Sequence, residues 1–161
     1  MSAFYRIVLL LSVAVATVAA VASVAAHGSQ RERRGLLDLA GAIKCNTGRF
    51  ALSYMMYGCY CGVGGQGWPK DKTDWCCFKH DCCYGDAEKH GCETKTKSYH
   101  WTCEDNAAEC DDLDDICEER VCECDRDFAK CLKRAKYTLK YAFWPDMFCK
   151  EQKPTCNILQ R

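Results

Sequence analysis

Apolar residues follow two regimes along this chain. Ile7 to Ala26 is a nearly unbroken apolar run, preceded by Arg6 and closed by the small residues Val24-Ala25-Ala26. A basic residue, an apolar stretch and a small-residue end form the pattern of a secretory signal, so 1–26 reads as a signal peptide. The run is nearly long enough to cross a bilayer, which leaves a retained signal anchor as the alternative. From Gly35 onward the apolar positions fall instead into short stripes between polar stretches. Leu36, Leu39, Ala40 and Ile43 recur at helical spacing and predict a short amphipathic helix over Gly35–Lys44.

Two longer helices are expected further on. Asp71, with Pro69 just before it and Asp74 at the third helical position, has the form of an N-cap. It starts a helix that ends near Gly91. A second helix is predicted over Asp114–Tyr137 by Ile116, Cys117, Val121, Cys124, Phe128 and Cys131. Between them, 92–112 carries no long apolar period, and Tyr99-His100-Trp101-Thr102 predicts a short strand or hairpin. The tail from Tyr141 to Arg161 is irregular, broken by Pro145 and Pro154. The pattern amounts to two long helices, a shorter one, a small β element and little room for a large apolar core.

Cysteine changes that picture most. All 16 cysteines lie between Cys45 and Cys156. This density is at or above the roughly 8–10% that marks a disulfide scaffold and points to an oxidising compartment, hence a secreted, extracellular protein. The even count allows complete pairing, although connectivity does not follow from sequence alone. Few CxxC spacings and only four histidines argue against a zinc protein. Crosslinks are expected to replace the missing core, at about 2–5 kcal/mol each in small secreted domains.

Arg31-Glu32-Arg33-Arg34 resembles a furin-type processing site, so 27–34 is read as a propeptide and Gly35 as the first residue of a 127-residue mature domain, 35–161. That domain holds 18 Lys and Arg against 21 Asp and Glu, a net charge of −3. No nucleic-acid partner is implied, nor a strong dependence on anionic membranes. No Asn-x-Ser/Thr acceptor occurs, so N-glycosylation is not expected.

The candidate chemistry sits in two motifs. Trp75-Cys76-Cys77-Phe78-Lys79-His80-Asp81-Cys82-Cys83-Tyr84 sets a titratable base beside a carboxylate, between two pairs of adjacent cysteines. On a helix, His80 and Tyr84 share one face, as do Cys76 and Cys83. The second motif, Tyr57-Gly58-Cys59-Tyr60-Cys61-Gly62-Val63-Gly64-Gly65-Gln66-Gly67, has five glycines in eleven residues. Glycines let a backbone turn its carbonyls toward one point, where a hard cation such as calcium accepts them. Most glycine-rich stretches are only turns. Two cysteines inside this one argue for a fixed shape.

Together the loop YGCYCGVGG and the run CCFKHDCCY closely resemble the secreted calcium-dependent phospholipase A₂ family, and the likeness extends through Cys122-Glu123-Cys124-Asp125. The dibasic end of 27–34 and the cysteine complement are most similar to the group X type. The resemblance implies a mainly α, disulfide-rich fold: two long antiparallel helices, an N-terminal helix, a glycine-rich calcium loop and a small β-wing. It implies a hydrolase that cleaves the sn-2 acyl ester of glycerophospholipids. His80 would act as general base, oriented by Asp125. Asp81 and the carbonyls of Tyr60, Gly62 and Gly64 would hold Ca²⁺, and Tyr84 and Tyr99 would hydrogen-bond Asp125.

The implied disulfides are Cys45–Cys103, Cys59–Cys149, Cys61–Cys77, Cys76–Cys131, Cys82–Cys156, Cys83–Cys124, Cys92–Cys117 and Cys110–Cys122. The partner would be a phospholipid membrane or lipoprotein surface, bound peripherally by a monomer, with a cell-surface receptor as a further partner. Interface contacts are expected from Leu36, Leu37, Leu39, Ile43, Val63 and Trp68, with Phe50 beside them. A non-catalytic receptor ligand or matrix protein is the competing class, but such proteins typically replace the histidine, the calcium aspartate or the loop glycines, and all are present here.

Three features lie outside the family pattern or stay open. Asp38 stands where the family often has a glutamine that anchors the α-amino group. Asp111-Asp112-Leu113-Asp114-Asp115 is either a second cation site or an acidic helix start, the latter favoured by the helix dipole. Lys130, Lys133, Arg134, Lys136 and Lys140 form either a heparin-binding or receptor patch or a solvated helix face, and the face is the better reading.

Overall fold

The computed structural model describes residues 35–160, so the expected signal peptide and propeptide lie outside the described residues. Helix α1 covers 35–47, α2 covers Lys72–Lys89 and α3 covers Ile116–Arg134. Strands β1 (Trp101–Glu104) and β2 (Ala107–Cys110) form an antiparallel pair with Trp101 opposite Cys110. Among the described residues no helix is long and apolar enough to cross a membrane.

Both long helices begin where their caps dictate. The Asp71 carboxylate accepts the Asp74 N–H at 3.0 Å, and Gly91, at φ +86°, closes the far end of α2. In α3, Asp115 accepts the N–H groups of Cys117 and Glu118 at 2.8 and 3.0 Å. Lys97 pairs with Asp115 and Glu118. Asp115, the last residue of the acidic stretch, thus caps the start of α3. At its other end α3 stops three residues short of Tyr137, whose hydroxyl donates to Ser53 O at 2.8 Å and whose ring packs edge-on against Tyr54.

Eight disulfides tie the elements, in the same pairs that the resemblance implies. Cys76 joins Cys131 while Cys83 joins Cys124, so position rises along α2 as it falls along α3. The helices are therefore antiparallel. Cys61–Cys77 and Cys59–Cys149 fix the glycine loop to α2 and to the tail. The core between these links is aromatic and sulfur-rich: Tyr54, Tyr57, Tyr60, Phe78 and Phe128 pack with Ile43, Leu132 and half-cystines.

The β-wing docks through small residues. Ala42 of α1, Ala108 of β2 and Ala129 of α3 meet beneath Trp101, whose ring occupies the space a Cβ on Gly41 would need. Asp105 and Asn106, both at positive φ, make the two-residue hairpin turn, matching the strands' twist. The expected strand at 99–102 is displaced. Tyr99 precedes β1, because its side chain turns inward to a buried carboxylate.

Asp74 holds the loop more directly than any crosslink. Its buried carboxylate accepts the N–H groups of Cys59, Tyr60 and Lys70 at 2.7, 2.8 and 2.8 Å. Burial pushes its pKa above the ordinary carboxylate value, while the three amide donors pull it down. Gly58, at φ +61°, lies so close that a Cβ there would strike the Asp74 carboxyl. Asp74→Ala would leave three amide donors without an acceptor in a buried site, each costing about 1–3 kcal/mol. It should lower stability by at least about 3 kcal/mol with all disulfides intact, read as a fall in the urea midpoint.

Candidate active site

Helix α2 presents two faces that do different things. Asp74, Cys77, Phe78 and Asp81 recur at the spacing of one face. Asp74 and Cys77 of that face are bonded to the glycine loop. Cys76, His80 and Cys83 form the other face, turned to α3.

On the α3 side, His80 Nε2 lies 2.6 Å from Asp125 Oδ1. Tyr84 donates to the same oxygen at 2.7 Å, and Tyr99 donates to Oδ2 at 2.6 Å. Asp125 is fully buried and His80 is 9% exposed. A buried carboxylate is tolerated only when its lone pairs are satisfied, and here three donors converge on it. Because Asp125 can only accept, the proton of this contact sits on Nε2, leaving Nδ1 as the free basic nitrogen. Both tyrosine pKa values are driven well up, first by burial and then by the Asp125 charge, so these hydroxyls remain donors at any working pH.

On the loop side, Asp81 follows His80 and keeps solvent access. Surrounding protein nonetheless pushes its pKa up to about 6, against the opposing charges of His80, Lys153 and Lys95. Gly62 and Gly64 take φ values of +132° and +79°, which favour glycine. The Tyr60 ring is fixed by a hydroxyl bond to Gly67 O at 2.6 Å, and its N–H is held by Asp74. The ligand set that the resemblance implies for this turn is one carboxylate, Asp81, and the carbonyls of Tyr60, Gly62 and Gly64. An all-oxygen set on a pinned loop fits a hard cation such as calcium and does not fit a soft metal.

The expected interface residues divide. Leu36, Leu37 and Phe50 are exposed, Val63 is 100% exposed, and Trp68 is 38% exposed with its ring edge-on to Trp75. Leu39 is half-buried. Ile43 is 3% exposed and belongs to the core, a correction to its expected place at a surface. It lies one turn beyond Leu39, where α1 packs against the core. Asp38 accepts the Ser98 hydroxyl at 2.7 Å. Lys130 pairs with Glu109 at 2.9 Å and Lys133 donates to Asn106 O at 2.6 Å, so these two serve as helix-face contacts to the β-wing.

Two residues near the site were not singled out from sequence for what they do there. Asp74 reads as an ordinary first-turn acid, and its one sequence signal is that it shares a helical stripe with Cys77 and Asp81. Phe128 reads as a core position, yet its ring stacks on His80 with centroids 4.4 Å apart and planes 23° apart.

Comparison with known proteins points to one family. The family model described as Phospholipase A2 matches residues 36–142. A protein named Phospholipase A2 from Meiacanthus atrodorsalis is 58% identical over 158 residues, covering 98% of this chain and 99% of that protein. Group 10 secretory phospholipase A2 from Homo sapiens is 46% identical over 125 residues, 78% of this chain and 76% of its own. Phospholipase A2, membrane associated, from Mus musculus is 45% identical over 138 residues, covering 84% and 94%. The chain belongs to the phospholipase A2 family.

Proposed function

We propose that this chain is a secreted, calcium-dependent hydrolase that cleaves the sn-2 acyl ester of glycerophospholipids, giving a free fatty acid and a lysophospholipid. The observation that carries the reading is the His80–Asp125 contact at 2.6 Å, with Tyr84 and Tyr99 closing the carboxylate's remaining positions. His80 Nδ1 takes a proton from a water whose oxygen attacks the sn-2 carbonyl carbon. Asp125 holds the ring and stabilises the imidazolium that forms, without taking the proton. When the tetrahedral intermediate collapses, Nδ1 returns that proton to the departing glycerol oxygen, so the base is regenerated and one water is consumed.

Calcium would be held by Asp81 and the carbonyls of Tyr60, Gly62 and Gly64. When bound, it supplies positive charge against the developing oxyanion. The Gly62 N–H is a further donor for the same charge. Leu36, Leu37, Val63 and Trp68 would meet a phospholipid or lipoprotein surface, tryptophan being suited to the interfacial zone. The family match begins at residue 36, in keeping with a mature enzyme that starts at Gly35, after a 1–26 signal peptide and a 27–34 propeptide read from the sequence. With every cysteine paired internally, the enzyme acts as a monomer.

Residues 35–161 should release fatty acid from phosphatidylcholine vesicles with calcium and release none with excess chelator. His80→Gln should lower that rate by at least about a hundredfold with the fold intact, the lower bound for losing a general base. A folded wild-type protein inert on every phospholipid tested would overturn the reading. Near-neutral charge predicts turnover of phosphatidylcholine as well as phosphatidylglycerol, and activity confined to the anionic lipid would contradict that. Tyr99→Phe removes a buried donor to a charged acceptor and should cost about 1.5–3 kcal/mol of stability, measured by urea unfolding.

A further inference from the structure

Asp125 and Phe128 stand three residues apart on α3, so they project from one side of that helix. Both reach His80, in different ways. Asp125 meets the Nε2 edge of the imidazole at 2.6 Å, while Phe128 lies against its face at 4.4 Å and 23°. The Tyr84 ring is also close, at 4.1 Å and 47°. Phe128 itself is 8% exposed and joins the central core, so its own position is fixed from behind.

An edge contact alone does not define a ring's plane. The χ2 torsion of histidine is broad and roughly two-fold, unlike the sharp wells of sp³–sp³ bonds. With Nε2 tethered, the imidazole retains freedom to swing, and that swing carries Nδ1 sideways. A ring stacked on the imidazole face removes this freedom, because turning the plane drives ring atoms into the phenyl.

We infer that Phe128 is a positioning residue for the proposed reaction: its planar ring sets the plane of the His80 imidazole, and so the direction in which Nδ1 points. This rests on the reading of His80 as the general base. Phe128 as mere core filling is the competing account. It predicts that any apolar side chain of similar volume serves equally once the protein folds.

The test uses residues 35–161 with calcium and a short-chain phosphatidylcholine kept monomeric, so that surface binding does not enter KM. Phe128→Leu and Phe128→Met keep an apolar side chain without a plane, and Phe128→Tyr keeps the plane. Folding of each is checked by the urea midpoint, and if one non-planar variant fails to fold the other carries the comparison. A misplacement on the scale of 1 Å costs about a hundredfold, so kcat should fall about tenfold to a hundredfold in the Leu and Met variants while KM stays within about twofold. The Tyr variant should keep kcat within about threefold of wild type on the same scale. Unchanged kcat in folded Leu or Met variants overturns the inference. So does an equal loss in the Tyr variant, or a change confined to KM, which would make Phe128 a substrate contact. An inactive, folded wild type sinks the proposed function itself and this inference with it.

Discussion

Two pairs of adjacent cysteines decide what α2 can do. Neighbouring residues on a helix point about 100° apart, so Cys76 and Cys77 cannot serve the same partner, and nor can Cys82 and Cys83. Cys77 goes to the loop and Cys76 to α3, while Cys83 goes to α3 and Cys82 to the tail. His80 and Asp81, placed between these pairs, inherit the same division. One faces α3 and its buried carboxylate. The other stays on the loop side, on the face that carries Asp74 and Cys77. His80 and Asp81 are thus next to each other in sequence yet assigned to separate sides of the helix, and that geometry follows from helix periodicity once the crosslinks are set.

Two buried carboxylates complete the arrangement, by the same physical logic. An isolated charge in the interior is expensive, so each must be surrounded by donors. Asp74 collects three backbone amides and so fixes the path of the chain at 58–60. Asp125 collects an imidazole and two phenols, and so fixes a side chain. The first carboxylate shapes a loop, the second orients an imidazole.

What was legible from sequence follows from which signals are local. The N-cap at Asp71 and the acidic start of α3 could be read because a capping carboxylate acts on its own first turn. The apolar and cysteine stripe of α3 was readable because its period is that of the helix. Tyr99 was misread as a strand residue. An aromatic two residues before Trp101 carries strand propensity, but a hydrogen bond to a carboxylate 26 residues away outweighs it. Ile43 and Leu39 were grouped by period alone, which finds a face but not what the face meets. Phe128 and Asp74 were read correctly as helix residues and incompletely as anything more, since stacking on an imidazole or capturing a loop's amides is a non-local event. The antiparallel pairing of the helices required the disulfide connectivity, which no composition or spacing supplies.

The scarcity of aliphatic core is linked to the exposed apolar residues. In a domain held mainly by hydrophobic burial, leaving Leu36, Leu37, Val63 and Trp68 at the surface would give up stabilisation at about 25 cal/mol per Å² of apolar area. Here the crosslinks constrain the unfolded chain, contributing about 2–5 kcal/mol each in domains of this kind. Large side chains are then free to remain outside, where a lipid surface can bury them on contact. The same crosslinks join the helices that carry His80, Asp81 and Asp125 on either side of the site. Stapling therefore separates two demands that a conventional core would set against each other, a rigid site and an apolar surface.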